Sequence, residues 1–171
     1  MKATTTLGTL FAIVAVVVSS SALRATRATE QPVLEGVFQA ASAVKVCALL
    51  PKAEVKKLIG ANDAFDSVEP TEKPLNNGGA SCAYGRALMI MVHSGTLDGM
   101  KRPGAPTKAV PDVGDEAYVY NNPAGSVDLS VKVGPRLLTI SRELAKDGRD
   151  SLSAVQPGVV ALAKALVPKL R

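Results

Sequence analysis

The sequence predicts an α+β domain: an antiparallel sheet of about five strands, built from a hairpin plus a three-stranded meander, packed against N-terminal and C-terminal helices and closed by one disulfide. Three observations predict it. Ser126–Val133 alternates strictly, with Val127, Leu129, Val131 and Val133 on one face and Asp128, Ser130 and Lys132 on the other. That is the period of a strand with one face in water, hence antiparallel. Two short apolar runs, Ala80–Tyr84 and Ala87–His93, flank Gly85-Arg86, the spacing of a hairpin. Val159, Leu162, Ala163 and Leu166 fall on one helical stripe, which predicts a last helix capping the sheet.

The chain begins with a processing segment. Met1-Lys2 supplies a positive end and no charge follows until Arg24, while Leu10–Val18 is unbroken apolar sequence. Its length suits the hydrophobic region of a secretory signal peptide and falls short of a bilayer span. Ser20 and Ala22 provide the small residues required before a cleavage after Ala22. The expected organisation is a signal peptide over 1–22, a flexible lead-in over 23–33 and one domain over 34–171. The mature protein is expected outside the cytosol, in the periplasm or beyond. An uncleaved leader is the alternative and the one route to a membrane contact, although Thr4, Thr5, Thr6 and Thr9 make it a poor span. No Cys lies near the cleavage site, which excludes a lipid-modified N-terminal Cys.

Export governs the reading of the two cysteines. In an oxidising compartment Cys47 and Cys82 most simply pair, and closing that loop is worth roughly 4 kcal/mol at most. The alternative is a reactive thiol, Cys82 with His93, which needs an unpaired sulfur of depressed pKa.

Along the domain, Leu34, Val37, Phe38, Ala41 and Val44 suggest a first helix. A second starts with Pro51 at its first helical position, turns Val55, Leu58 and Ile59 inward, and stops at Gly60. Residues 61–79 read as a loop ending in the turn residues Asn76-Asn77-Gly78-Gly79, with Glu69 and Glu72 as solvated charges. Leu88–Val92 is apolar on both faces, which predicts a central strand covered on both sides. Residues 94–114 form the longest irregular stretch. The meander follows as Asp115–Tyr120, a turn at 121–125, Ser126–Val133, the turn Gly134-Pro135 and Arg136–Ser141. The last helix is expected from about Pro157 to Val167.

Composition excludes several functions. The 171 residues carry 20 Lys and Arg against 15 Asp and Glu, with 47% hydrophobic and 20% charged residues. That is neither a disordered polyelectrolyte nor a multi-span membrane protein. A single His excludes any site needing two imidazoles, and 4% aromatics leave little with which to stack nucleobases. Phosphate-binding glycine loops, a nucleophile elbow and CxxC motifs are absent. His93 reads as a strand-end histidine. Asp112, Asp115 and Glu116 with Asn121 and Asn122 lack the regular spacing of a calcium loop and read as charges entering a strand. With His93 they are the candidates for a carboxylate-based enzyme. Lys101, Arg102 and Lys108 in the long loop, with Lys52, Lys56 and Lys57, point to anionic envelope surfaces rather than nucleic acid.

The order of features resembles a family of small exported bacterial envelope proteins and lipoproteins that carry a domain of unknown function. The residues that carry the resemblance are Cys47-Ala-Leu-Leu leading through Glu54-Val55 to Leu58-Ile59-Gly60, then Ser81-Cys82-Ala83-Tyr84, then Val110-Pro-Asp-Val-Gly-Asp-Glu-Ala-Tyr118. It covers about residues 45–168 and implies a paired Cys47–Cys82, a compact α+β fold and no catalytic residues. The chain departs from it by lacking the lipid-attachment Cys. The expected function is a soluble envelope binding or interaction module without cofactor or metal, its partner an envelope protein or an anionic envelope ligand. The open sheet face, or the loop bearing Lys101, Arg102, Lys108 and Asp112, is the expected contact surface.

Overall fold

The computed structural model describes residues 44–60, 63–98, 107–145 and 151–171. The leader, the lead-in and, save Val44, the first helix expected over 34–44 lie outside the described residues, as do Lys101 and Arg102. Within them the chain runs through a 3-10 turn (Val46–Ala48), α1 (Lys52–Ile59), α2 (Asp63–Asp66), β1 (Thr71–Pro74), β2 (Ala80–Tyr84), β3 (Leu88–Ser94), β4 (Thr107–Ala109), β5 (Glu116–Asn122), β6 (Ser126–Val133), β7 (Arg136–Glu143) and α3 (Leu152–Leu170).

All seven strands join one antiparallel sheet in the order β1-β2-β3-β7-β6-β5-β4. The α+β class, the β2–β3 hairpin and the β5–β6–β7 meander are as the alternation predicts. The sheet is larger than the expected five strands because both of its edges come from stretches expected to be loop. β1 lies within 61–79 and β4 within 94–114. Thr71, Glu72, Lys73 and Pro74 are all exposed, so this edge buries no alternate face and leaves no hydrophobic period to read. Lysine and proline on an edge also discourage pairing with another chain.

The helices cover one face. α3 lies over β6 and β7, with α1 beside it. Beneath them Val127, Leu129 and Val131 of β6 align with Arg142, Ile140 and Leu138 of β7, which align in turn with Leu88, Ile90 and Val92 of β3. All are buried, as are Val155, Val159, Leu162, Ala163 and Leu166 on the facing side of α3. Each fully buried aliphatic side chain in such a layer stabilises by roughly 1.5–3 kcal/mol. Arg142 sits inside this layer and donates from Nη1 to the carbonyls of Ala87 (3.3 Å) and Glu143 (3.2 Å), which ties the β2–β3 turn to the end of β7.

Helix ends differ in detail from the sequence reading. Pro51 stands before α1 rather than in its first turn, because its ψ of 143° is extended, and its carbonyl accepts from Glu54 and Val55. Gly60 ends the helix with φ +84° and donates its N–H to Lys56 O. α3 starts five residues earlier than expected, at Leu152, capped by Ser151 Oγ accepting from Ala154 N (3.2 Å). Pro157 therefore sits inside the helix. It removes one intrahelical hydrogen bond, and it does so on an exposed side where water can take the freed carbonyl. At the other end Arg136 Nη1 donates to Leu170 O at 2.9 Å.

Cys47 and Cys82 form the disulfide, which pins the 3-10 turn to β2. Glu72, expected to be merely solvated, accepts from the backbone N–H groups of Val46 (3.0 Å) and Cys47 (3.3 Å). The 3-10 turn is thus held to the β1–β2 edge both covalently and by a carboxylate at its N-terminus.

Candidate functional site

The opposite face of the sheet carries no helix among the described residues. Its side chains are set by four dipeptide steps in which alternate residues share a face: Met89 and Met91 on β3, Ser141 and Thr139 on β7, Asp128 and Ser130 on β6, Tyr120 and Tyr118 on β5. Register aligns them into two parallel rows. One runs Tyr120, Asp128, Ser141, Met89, and Thr107 of β4 extends it beyond Tyr120. The other runs Tyr118, Ser130, Thr139, Met91.

Side-chain size then shapes the surface. The outer strands contribute long side chains, two tyrosines on one wall and two methionines on the other, while the two middle strands contribute serine, threonine and aspartate. The result is a trough of about 340 Å³ lined by these eight residues with Thr107 and Asn122. Its floor is enclosed. Ser130 and Thr139 are 4% and 5% exposed although they point away from the helices. With strands about 4.8 Å apart, the walls stand roughly 14 Å from one another, and the volume falls in the range of small-molecule pockets. Met89, at 39% exposure, is the one large hydrophobic side chain open to solvent among the described residues. The expectation that β3 is covered on both faces is therefore corrected: its second apolar face lines the trough.

Asp128 is the single charged residue lining the trough. Its Oδ1 accepts from Ser141 Oγ at 2.5 Å, and both carboxylate oxygens lie 3.3–3.4 Å from Ser126 Oγ. Among the described residues no Lys or Arg pairs with it.

Apart from Asn122, which lines the trough, the described candidate residues singled out from sequence are not gathered there. His93 lies on the open face beyond the trough, its Nδ1 donating to Ser94 O at 2.9 Å. Asp115 accepts from Gly134 N (2.6 Å) and from Arg171 Nη2 (3.1 Å), fastening the β6–β7 turn and the C-terminus. Glu116 accepts from Tyr118 Oη at 2.7 Å. Asp112 is an exposed turn residue with φ +59°. Asp112, Asp115 and Glu116 border a shallow depression of their own segment, which His93 does not reach. Asn121 points to the helix-covered side, and Asn122 accepts from Ala124 N in the β5–β6 turn. The described residues include no group of three His, Cys, Asp or Glu placed to hold a metal ion.

The basic set is partly consumed by structure. Lys52 reaches the carbonyls of Val68 (2.6 Å) and Asp66 and the Glu69 carboxylate, and Lys56 pairs with Asp66 at 2.8 Å. Lys108 is exposed on the edge strand β4.

The sequence points to the open sheet face as a contact surface but not to the trough within it, for an identifiable reason. Tyr-x-Tyr, Asp-x-Ser, Thr-x-Ser and Met-x-Met are each unremarkable, and only the strand order sets small residues between large ones. Comparison of the chain with family models, with curated proteins and with solved structures gave no match to any of them.

Proposed function

We propose that this protein is an exported, non-catalytic binding module of the cell envelope that takes a small ligand in the trough on the open face of its sheet. The observation that carries the reading is the enclosed floor. Two hydroxyl residues, Ser130 and Thr139, are buried on a face that no helix of the described residues covers, between walls of tyrosine and methionine. Methionine walls adapt to varied apolar shapes, and the hydroxyls orient a polar group.

Three features support a site of action outside the cytosol. The leader over 1–22 has the composition of a signal peptide. The Cys47–Cys82 bond suits an oxidising compartment. The likeness to exported envelope proteins in the Cys47–Gly60, Ser81–Tyr84 and Val110–Tyr118 segments points the same way. No helix among the described residues is long and apolar enough to cross a membrane.

Nile red, an uncharged dye, tests the trough without regard to charge. The wild-type chain is expected to enhance its fluorescence saturably with one site, and Thr139→Phe, which fills the floor, to abolish that enhancement while the far-ultraviolet circular dichroism stays unchanged. Dye binding that survives Thr139→Phe in a folded protein removes the trough as the site.

A further inference from the structure

We infer that the ligand of the trough is an organic cation, an amine or quaternary ammonium with an apolar body, whose charge rests against Asp128. The inference deepens the binding reading above and rests on it. Four observations point to this chemistry. The chain is basic overall, with a formal net charge of +5, yet the one charge lining the trough is a carboxylate. That carboxylate is held by two serine hydroxyls and by no Lys or Arg of the described residues, so its charge is oriented but not neutralised.

Tyr120 is its direct cross-strand neighbour, with Tyr118 one step along the same strand. Tyrosine faces and a carboxylate together attract a cation more strongly than either does alone. On the other side Met89 and Met91 offer an apolar, polarizable wall for the remainder of such a molecule. A metal ion is the poorer fit. A lone carboxylate among hydroxyls gives too few charged oxygen ligands, and the described residues hold no group of three metal-binding side chains. An anionic ligand would meet repulsion from Asp128, the one charge lining the trough, with no cation there to offset it.

The test is calorimetric titration of the full mature chain with decyltrimethylammonium below its micellar concentration, beside decanol and decanoate as its neutral and anionic counterparts. The expected result is one-site binding of the cation, with both counterparts weaker by about tenfold or more. Asp128→Asn is expected to weaken the cation by about tenfold and to leave decanol unchanged. Tyr120→Leu, a second variant that leaves the carboxylate in place, is expected to weaken the cation by about threefold.

If decanol binds as tightly as the cation, Asp128→Asn moves neither, and Thr139→Phe abolishes both, the cation inference is overturned while the trough reading stands. If cation binding is indifferent to Thr139→Phe, both are overturned. If none of the three probes binds, the cation inference is overturned and the Nile red result decides the trough separately.

Discussion

Gly158 of α3 lies against Leu58 of α1 so closely that a Cβ built on Gly158 would stand 2.8 Å from the Leu58 carbonyl oxygen and 3.2 Å from Ile59 Cα. The two helices therefore meet backbone to side-chain-free backbone, and Gly60 ends α1 just beyond that crossing.

Gly158→Ala sets two effects against each other. Helix propensity favours alanine by about 1 kcal/mol, whereas overpacking against a rigid carbonyl costs about 1–3 kcal/mol. The clash is with backbone, so packing is expected to win. The urea midpoint should fall with an unchanged slope, and a rise in the midpoint would show that the helices separate freely.

Removing the disulfide by Cys47→Ser with Cys82→Ser is expected to destabilise the domain by about 2–4 kcal/mol in denaturant titration. Native protein should react with no thiol reagent until it is reduced, since both sulfurs are bonded. Glu72→Ala attacks the same junction without breaking it. Losing the two hydrogen bonds to Val46 and Cys47 is expected to cost about 1 kcal/mol, because the carboxylate is exposed and water replaces part of the interaction.

Tyr84 sets an alkaline limit. Its side chain is 1% exposed and stacked on Phe65 with ring centroids 4.7 Å apart, and burial pushes its phenol above the ordinary value of 10.0. The folded state therefore holds that proton more tightly than the unfolded one. The stabilisation is fully present below the ordinary phenol value and is lost as pH climbs from there through the folded value. Thermal melts above pH 10 should show this decline in the wild type and a shallower one in Tyr84→Phe. Identical slopes would place the alkaline loss elsewhere.

The mature chain from native cells is expected to begin at Leu23 by mass spectrometry. A start at Met1 would remove the cleaved-leader reading and leave the uncleaved leader as the anchor.

Legibility from sequence followed burial. Val127, Leu129, Val131 and Val133 announced β6 because one face of that strand meets α3 and the other does not. The last helix announced itself through Val159, Leu162, Ala163 and Leu166, while its first turn was hidden by Pro157, which reads as a start and instead sits inside. β1 and β4 stayed invisible because edge strands that bury neither face carry no hydrophobic period, only backbone pairing to β2 and β5. Asp115 and Glu72 read as ordinary charges. Their roles depend on backbone N–H groups brought near them by distant strand pairings, Gly134 in one case and Val46 with Cys47 in the other.

The sequence by itself determined the α+β class, the meander, the hairpin and the pairing of its two cysteines, because each depends on local period, turn chemistry or simple count. The tertiary structure alone decided that β3 lies beside β7, and with it that methionines and tyrosines from segments some thirty residues apart face each other across serine, threonine and Asp128. Which side chains share a face is written in each strand. Which strands stand together is settled by the packing of the whole sheet against α3, and the trough exists only at that level.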